Sequence, residues 1–165
     1  MRTIPDWDHY YLEICKVVAQ RSKDPNTQIG CVIVGPAHEI RSTGYNSFPR
    51  GIRDDLTERL ERPAKYLWIE HAERNAIFAA ARAGLATAGA TLIATFHPCA
   101  DCARAIVQAG IANLHTLAPD FADPLWGPAF RCSRAILEEG GVRVIYLERD
   151  PGLMHASTLG SRPAS

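Results

Sequence analysis

The sequence predicts an α/β protein with a five-stranded mixed sheet and helices on both faces, in three layers. Two observations carry this. Helix-like and strand-like stretches alternate in the order α-β-β-α-β-α-β-α-β, a pattern that buries a sheet between helices. The chain also has 165 residues, 47% apolar and 22% charged, enough to bury one core without disulfide staples. One domain over residues 1–150 is therefore expected. The tail, residues 151–165, is rich in Gly, Ser, Pro and Ala and is expected to be flexible.

The first element is an amphipathic helix from Trp7 to about Ala19, with Tyr11, Leu12, Ile14, Cys15, Val17 and Val18 supplying its apolar positions. Lys23-Asp24-Pro25-Asn26-Thr27 is turn chemistry. Gln28–Val34 is short and β-branched, and Ile40–Tyr45 follows after a brief connection, so the two form a hairpin. Residues 46–70 are a long, charge-rich connection, a length that goes with function or with a short helix of its own. Its run from Arg50 to Arg62 mixes signs, the mark of a solvated helix face, and Trp68 beyond it is assigned to the core. His71–Arg82 is Ala-rich and helical, stopping at Gly84. Ala90–Phe96 is a strand, Pro98 opens a helix that runs to about Ala109, and Ile111–Leu117 is the next strand. A helix over Pro128–Glu139 and a strand over Val142–Leu147 complete the domain. Strands separated by helices are expected to be parallel, joined by right-handed crossovers.

Eighteen Lys+Arg balance eighteen Asp+Glu, which argues against a domain built mainly to hold a nucleic-acid backbone. No apolar run approaches the roughly 20 residues needed to cross a bilayer, and the first residues lack a signal-peptide hydrophobic stretch. A soluble cytoplasmic protein is expected. The five cysteines, with no secretory signal, point to metal binding or catalysis rather than a disulfide framework. Only Cys99 and Cys102 are close in sequence. Cys15, Cys31 and Cys132 are expected to be small buried hydrophobes.

Two motifs stand at helix starts: His71-Ala72-Glu73 and Pro98-Cys99-Ala100-Asp101-Cys102. Cysteines three apart in a first helical turn share a face, so both thiolates can reach one ion. His71, at the start of another helix, supplies a third ligand. Three protein ligands leave zinc's fourth position open for water, as in a catalytic site. Glu73 lies in the same turn as His71 but is rotated away from the ligand direction, so it can move protons without coordinating. Other roles stay open at this point. The cysteines could be a redox pair or a structural half-site, and Glu73 could simply favour its helix N-terminus.

The H-x-E and P-C-x-x-C pair resembles the zinc-dependent cytidine deaminase superfamily, and the element order is similar over roughly Trp7–Leu147. Arg21-Ser22-Lys23-Asp24-Pro25-Asn26-Thr27-Gln28-Ile29-Gly30 and Gly44-Tyr45-Asn46-Ser47-Phe48-Pro49-Arg50-Gly51 look like the deoxycytidylate (dCMP) deaminase branch. The resemblance implies a cytidine-deaminase-like fold and one catalytic Zn2+ per chain on His71, Cys99 and Cys102. It implies Glu73 as proton shuttle, zinc-bound hydroxide as nucleophile, and conversion of dCMP to dUMP and ammonia. Asn46 would contact the sugar, with Ala72, Thr27, Gln28 and Pro98 also placed along the substrate. The branch further implies a homo-oligomer, a hexamer, with dCTP and dTTP as effectors. No membrane or nucleic-acid partner is expected.

Bland alternatives stand beside several of these residues. Asn46 fits a turn, and Thr27 and Gln28 fit the edge of the first strand. Lys23, Arg50 and Arg53 are candidate phosphate contacts because they flank the shared motifs. His97 is a candidate substrate contact, against the alternative of a histidine that supports the site with its hydrogen bonds satisfied. His9, His38, His115 and His155 show no ligand spacing. His97 stands where the branch commonly has phenylalanine, and residues 120–127 lack its Tyr-His-containing segment. Three rival functions remain: the same chemistry on a nucleoside, guanine or another amino-substituted heterocycle; an editing deaminase on tRNA or single-stranded DNA; and a non-catalytic zinc or redox module.

Overall fold

A computed structural model describes residues 3–148; the tail expected over 151–165, with His155, lies outside the described residues. Helix α1 (Trp7–Ala19) starts on Asp6, whose carboxylate accepts the His9 N–H at 2.8 Å. Strands β1 (Gly30–Val34) and β2 (Ile40–Tyr45) form the expected hairpin. Then come a 3-10 turn (Thr57–Arg59), the one-turn α2 (Lys65–Trp68) and α3 (Ala72–Ala83). Strand β3 (Thr91–Ala94), α4 (Ala100–Gln108), β4 (Asn113–Leu117), α5 (Gly127–Glu139) and β5 (Arg143–Leu147) complete the order.

The sheet order is β2-β1-β3-β4-β5. Strand β1 is antiparallel to both neighbours, whereas β3, β4 and β5 run parallel as their intervening helices require. Alternation along the strands divides the core in two. Cys31, Ile33, Leu92, Ala94 and Leu114 face Ala72 and Ala76 of α3, Ala103 and Ile106 of α4, and Leu137 of α5. Val32, Val34 and Ile93 face Tyr11 and Cys15 of α1 on the other side. Helices therefore cover both faces, as expected.

Two glycines allow the layers to approach. A Cβ on Gly30 would lie 1.8 Å from the Cys15 carbonyl oxygen, so β1 takes α1 at backbone contact. A Cβ on Gly44 would lie 2.2 Å from the Ala72 carbonyl oxygen and 2.4 Å from the Ala76 nitrogen. Gly44 thus seats the first turn of α3 against β2, the turn that carries Glu73.

Several expectations are corrected. Thr27 and Gln28 do not begin a strand; β1 starts at Gly30, and both residues are exposed on the approach to it. Between Arg50 and Arg62 the chain is solvated but helical only over Thr57–Arg59, because Pro49, Gly51 and Pro63 interrupt it. Trp68 is not core: it is 37% exposed, with the Arg59 guanidinium 3.9 Å from its ring centroid. Cys132 is exposed on α5, while Cys15 and Cys31 are buried as expected.

Candidate active site

Both motifs stand at helix starts, each with its first ligand just outside the helix. His71 and Cys99 are the N-cap residues of α3 and α4, both with extended backbone (φ −75°, ψ 155° and φ −72°, ψ 172°). Their carbonyls accept the Asn75 and Ala103 N–H at 2.9 and 2.8 Å. Neither cap residue's side chain bonds its own helix in the usual capping manner, so each is available for other work. Cys102 sits three residues into the cap, in the first turn of α4. Because β3 and the two helices converge here, His71 Nδ1 lies 3.4 Å from Cys99 Sγ and 3.5 Å from Cys102 Sγ. One donor atom from each of the three residues falls within 4.8 Å of the others.

Those spacings fit zinc. Tetrahedral coordination with Zn–N near 2.0–2.1 Å and Zn–S near 2.3 Å puts nitrogen and sulfur about 3.5 Å apart. The donor set, one imidazole and two thiols, is the soft nitrogen–sulfur type that zinc prefers. The two helix N-termini add positive potential that favours the thiolates. Hydrogen bonds from Cys102 and from His71 push the Cys99 thiol down to about 4, even though burial opposes them. His71 rises to about 9, chiefly through its bond to Cys99.

Glu73 follows two residues after His71 and is 3% exposed. Its Oε2 accepts from Cys102 Sγ at 3.6 Å, so the carboxylate stands beside the donor group without joining it. Burial pushes its pKa up, which suits a group that must hold a proton and release it.

Two cavities flank this cluster. The larger, about 540 Å³, is lined by Lys23, Asn46, Arg50 and Glu70, among others, but not by the metal-type ligands. The smaller, about 230 Å³, has His71 in its wall together with Trp68, Glu70, Arg74 and Asp101. Pro49, Ile69 and Glu70 are common to both walls.

The other candidates divide. Ala72 and Pro98 are buried next to the ligands that they adjoin in sequence. Asn46 is buried, and its amide braces backbone: Oδ1 accepts the Ile29 N–H and Nδ2 donates to the Thr27 carbonyl, both at 2.8 Å. Gln28 donates to the Asp24 carbonyl. Lys23 and Arg53 are already paired at the surface, with Asp54 at 2.8 Å and Asp55 at 3.1 Å.

His97 is corrected on one count. Its ring is 2% exposed and sits 5.8–6.0 Å, centroid to centroid, from Phe121, Phe130 and Tyr146. Neither ring nitrogen has a hydrogen-bond partner. It is therefore not a support with its hydrogen bonds satisfied; its ring faces this aromatic cage. The 120–127 segment contributes Phe121 to this aromatic cage and folds on itself, with Asp120 accepting the Ala122 N–H and Asp123 those of Leu125 and Trp126.

Sequence reasoning missed Asn75 and Lys65. Asn75 Nδ2 donates to the Tyr45 carbonyl at 2.8 Å and reaches Ser47 Oγ at 3.2 Å, stitching α3 to the end of β2. Its local signal was weak, because Glu73 and Arg74 beside it are polar as well. Lys65 was hidden in a charge-rich stretch.

A family model for the cytidine and deoxycytidylate deaminase zinc-binding region matches residues 5–118. A probable deoxycytidylate deaminase of Drosophila melanogaster is 36% identical over 146 residues, spanning 82% of this chain and 70% of that protein. Human deoxycytidylate deaminase is 34% identical over 123 residues, 72% of this chain and 68% of its own. The dCMP deaminase of cyanophage S-TIM5, solved in complex with dCMP and dUMP, shares the fold at TM-score 0.70 and 23% identity, over 88% of this chain and all of that one. Since the matched stretch contains His71, Glu73, Cys99 and Cys102, and the fold brings those four together, this chain belongs to the cytidine and deoxycytidylate deaminase family of zinc-dependent enzymes.

Proposed function

We propose that this enzyme hydrolyses dCMP to dUMP and ammonia, within a deaminase domain spanning residues 1–150. The observation that carries the reaction is the placement of Glu73: buried, raised in pKa and 3.6 Å from Cys102 Sγ, outside the set of three donors. The resemblance of residues 21–30 and 44–51 to the dCMP branch, and the names of the relatives at 36% and 34% identity, support the substrate.

His71, Cys99 and Cys102 would hold the zinc, which when bound supplies a Lewis acid that makes hydroxide accessible near neutral pH. Glu73 takes a proton from the water that attacks C4 of the pyrimidine. It gives that proton to ring N3, then takes the second proton from the oxygen now bonded to C4 and gives it to the amino nitrogen, which leaves as ammonia while the C4 carbonyl forms; one carboxylate acts as base and then as acid. Burial of Glu73 keeps bulk water from relaying those protons instead. Asn46 and the segment Thr27–Gln28 serve as the wall against the nucleotide, with Ala72 and Pro98 closing the base end. Lys23 and Arg50, which line the larger cavity, would meet the phosphate.

Self-association is supported by apolar side chains displayed on short elements, among them Leu67 at 88% and Leu125 at 65% exposed. The likeness to the dCMP branch supports a homohexamer with dCTP and dTTP as effectors. Among the described residues no helix is long and apolar enough to cross a membrane.

The test is loss of absorbance at the cytosine band with dCMP, deoxycytidine and CMP in parallel. Glu73→Gln, checked for unchanged zinc content, is expected to lower kcat by about 10²–10⁴-fold. Turnover of dCMP well above the other two supports the assignment. Failure to turn over any of them would sink the nucleotide reading.

A further inference from the structure

In α2 the usual rule of burial is inverted. Leu67 is 88% exposed and Tyr66 54% exposed, while the one buried residue of the helix is Lys65, at 5%. A four-residue helix has no independent stability, and this one lacks an apolar face in the core. It is anchored through a charge: Lys65 Nζ lies 2.7 Å from Asp24 Oδ2, with both side chains almost fully buried.

Asp24 spends its other carboxylate oxygen on the backbone, accepting the Asn26 N–H at 2.9 Å and the Thr27 N–H at 3.2 Å. The Thr27 carbonyl is taken by Asn46 Nδ2, and the Ile29 N–H by Asn46 Oδ1. Ser22 Oγ closes the circuit, accepting from the Asp24 N–H at 3.2 Å and donating to the Asn46 carbonyl at 2.8 Å. The same pair reaches toward the metal site from the other side. The Lys65 carbonyl accepts the Ile69 N–H at 2.9 Å, Glu70 bridges to Ser47 at 3.0 and 2.8 Å, and His71 follows.

We propose that Lys65, through its buried ion pair with Asp24, is a positioning residue that holds the wall formed by Thr27, Gln28 and Asn46 against the strap leading into His71. This rests on the reading that this wall meets the nucleotide. A buried ion pair gives little net stability, because desolvation offsets much of the attraction. What the pair supplies here is registration of two segments whose charges are 41 residues apart in sequence. Removing it as a pair should therefore loosen the wall while sparing the fold.

Lys65→Met alone would strand a buried carboxylate and unfold much of the protein, so the informative variant is the double change Asp24→Asn with Lys65→Met. Asparagine keeps an oxygen for the Asn26 and Thr27 amides, and no charge is left unpaired. On the zinc-loaded, full-length protein we expect wild-type zinc content, kcat within twofold, and KM for dCMP raised about tenfold. We also expect hydrogen exchange over residues 22–29 to quicken about tenfold, with α4 unchanged. Lys65→Arg with Asp24 kept, which preserves the ion pair, should leave both KM and exchange close to wild type. Unchanged exchange over 22–29 in the folded double variant would overturn the proposal, whatever the kinetics. Faster exchange with an unchanged KM would also overturn it, because the held segment would then not be the substrate wall. If wild-type protein deaminates no cytidine nucleotide, the substrate reading fails, and the exchange experiment still decides whether the ion pair holds the segment.

Discussion

His97→Phe should make the protein more stable, and more so as the solution is acidified. The neutral imidazole has one N–H and one acceptor nitrogen, and neither finds a partner in a site that is 2% exposed. A buried donor or acceptor left unpaired costs about 1–3 kcal/mol. Phenylalanine removes both polar atoms and keeps a ring within the cage of Phe121, Phe130 and Tyr146. Its larger ring gives back about 1 kcal/mol through overpacking. The expected net gain at pH 7.5 is about 2 kcal/mol, or roughly 5 °C in Tm for a domain of this length. Burial, aided by the Arg134 charge and opposed by an approach of the Phe130 backbone that falls short of hydrogen-bond geometry, holds His97 down at about 4. Between that value and its unfolded value near 6.5 the unfolded chain binds more protons than the folded one. This contribution to stability is therefore complete above the unfolded pKa and is lost as pH falls toward the folded one. From pH 7.5 to 5.5 the wild type should lose about 1 kcal/mol that the variant keeps. Urea unfolding of both zinc-loaded proteins across that window measures the difference, since contributions from every other group cancel. A variant no more stable at pH 7.5, declining with acid as steeply as the wild type, would refute the argument.

Three further outcomes follow from the same geometry. Gly44→Ala forces a Cβ to within 2.2 Å of the Ala72 carbonyl; it should destabilise by about 3 kcal/mol and weaken zinc retention by tilting α3, measured by urea unfolding and chelator competition. In the zinc-loaded protein Cys132, which is exposed, should be the thiol that reacts fastest with a disulfide reagent. Cys15, pushed up to about 12 by burial, and Cys31, raised well above the ordinary thiol range by the same cause, should react only on unfolding. Modification mapped by mass spectrometry checks the order. Asn75→Ala removes the donor to the Tyr45 carbonyl and leaves a partly buried acceptor unpaired, so a loss of about 1–2 kcal/mol is expected in thermal unfolding.

What could be read from the sequence, and what could not, follows from the range of the forces involved. The helix–strand alternation and the cap motifs act within a few residues. That is why the sheet, the parallel β3–β5 ladder and the cluster of His71, Glu73, Cys99 and Cys102 were all anticipated. Trp68 was misassigned because apolar neighbours at Leu67 and Ile69 mimic a buried run, and nothing local says that α2 hangs outside the core on a charge. Lys65 and Asp24 are 41 residues apart, and each alone looks like surface. His97 was misjudged for the opposite reason: it stands two residues before a ligand in sequence, yet its ring faces Phe130 of α5.

The positions of His71 and Cys99 tie the chemistry to the folding of this site. An N-cap side chain ordinarily satisfies one of its helix's free N–H groups, and at α3 and α4 that duty is left undone so that both side chains can turn toward each other. Two positive helix ends then face one small volume, which is unfavourable unless thiolate charge is held between them. In the zinc-loaded protein that charge is fixed by the ion. Chelation should therefore loosen two particular places, the first turns of α3 and α4, before the sheet. Hydrogen exchange should quicken there, around Ala72–Asn75 and Ala100–Ala103, while β1 and β3, with every residue from Cys31 to Val34 and Leu92 to Ala94 buried, keep their protection. Uniform loss across the whole domain would mean instead that zinc supports the fold globally and that the caps have no special share in holding it.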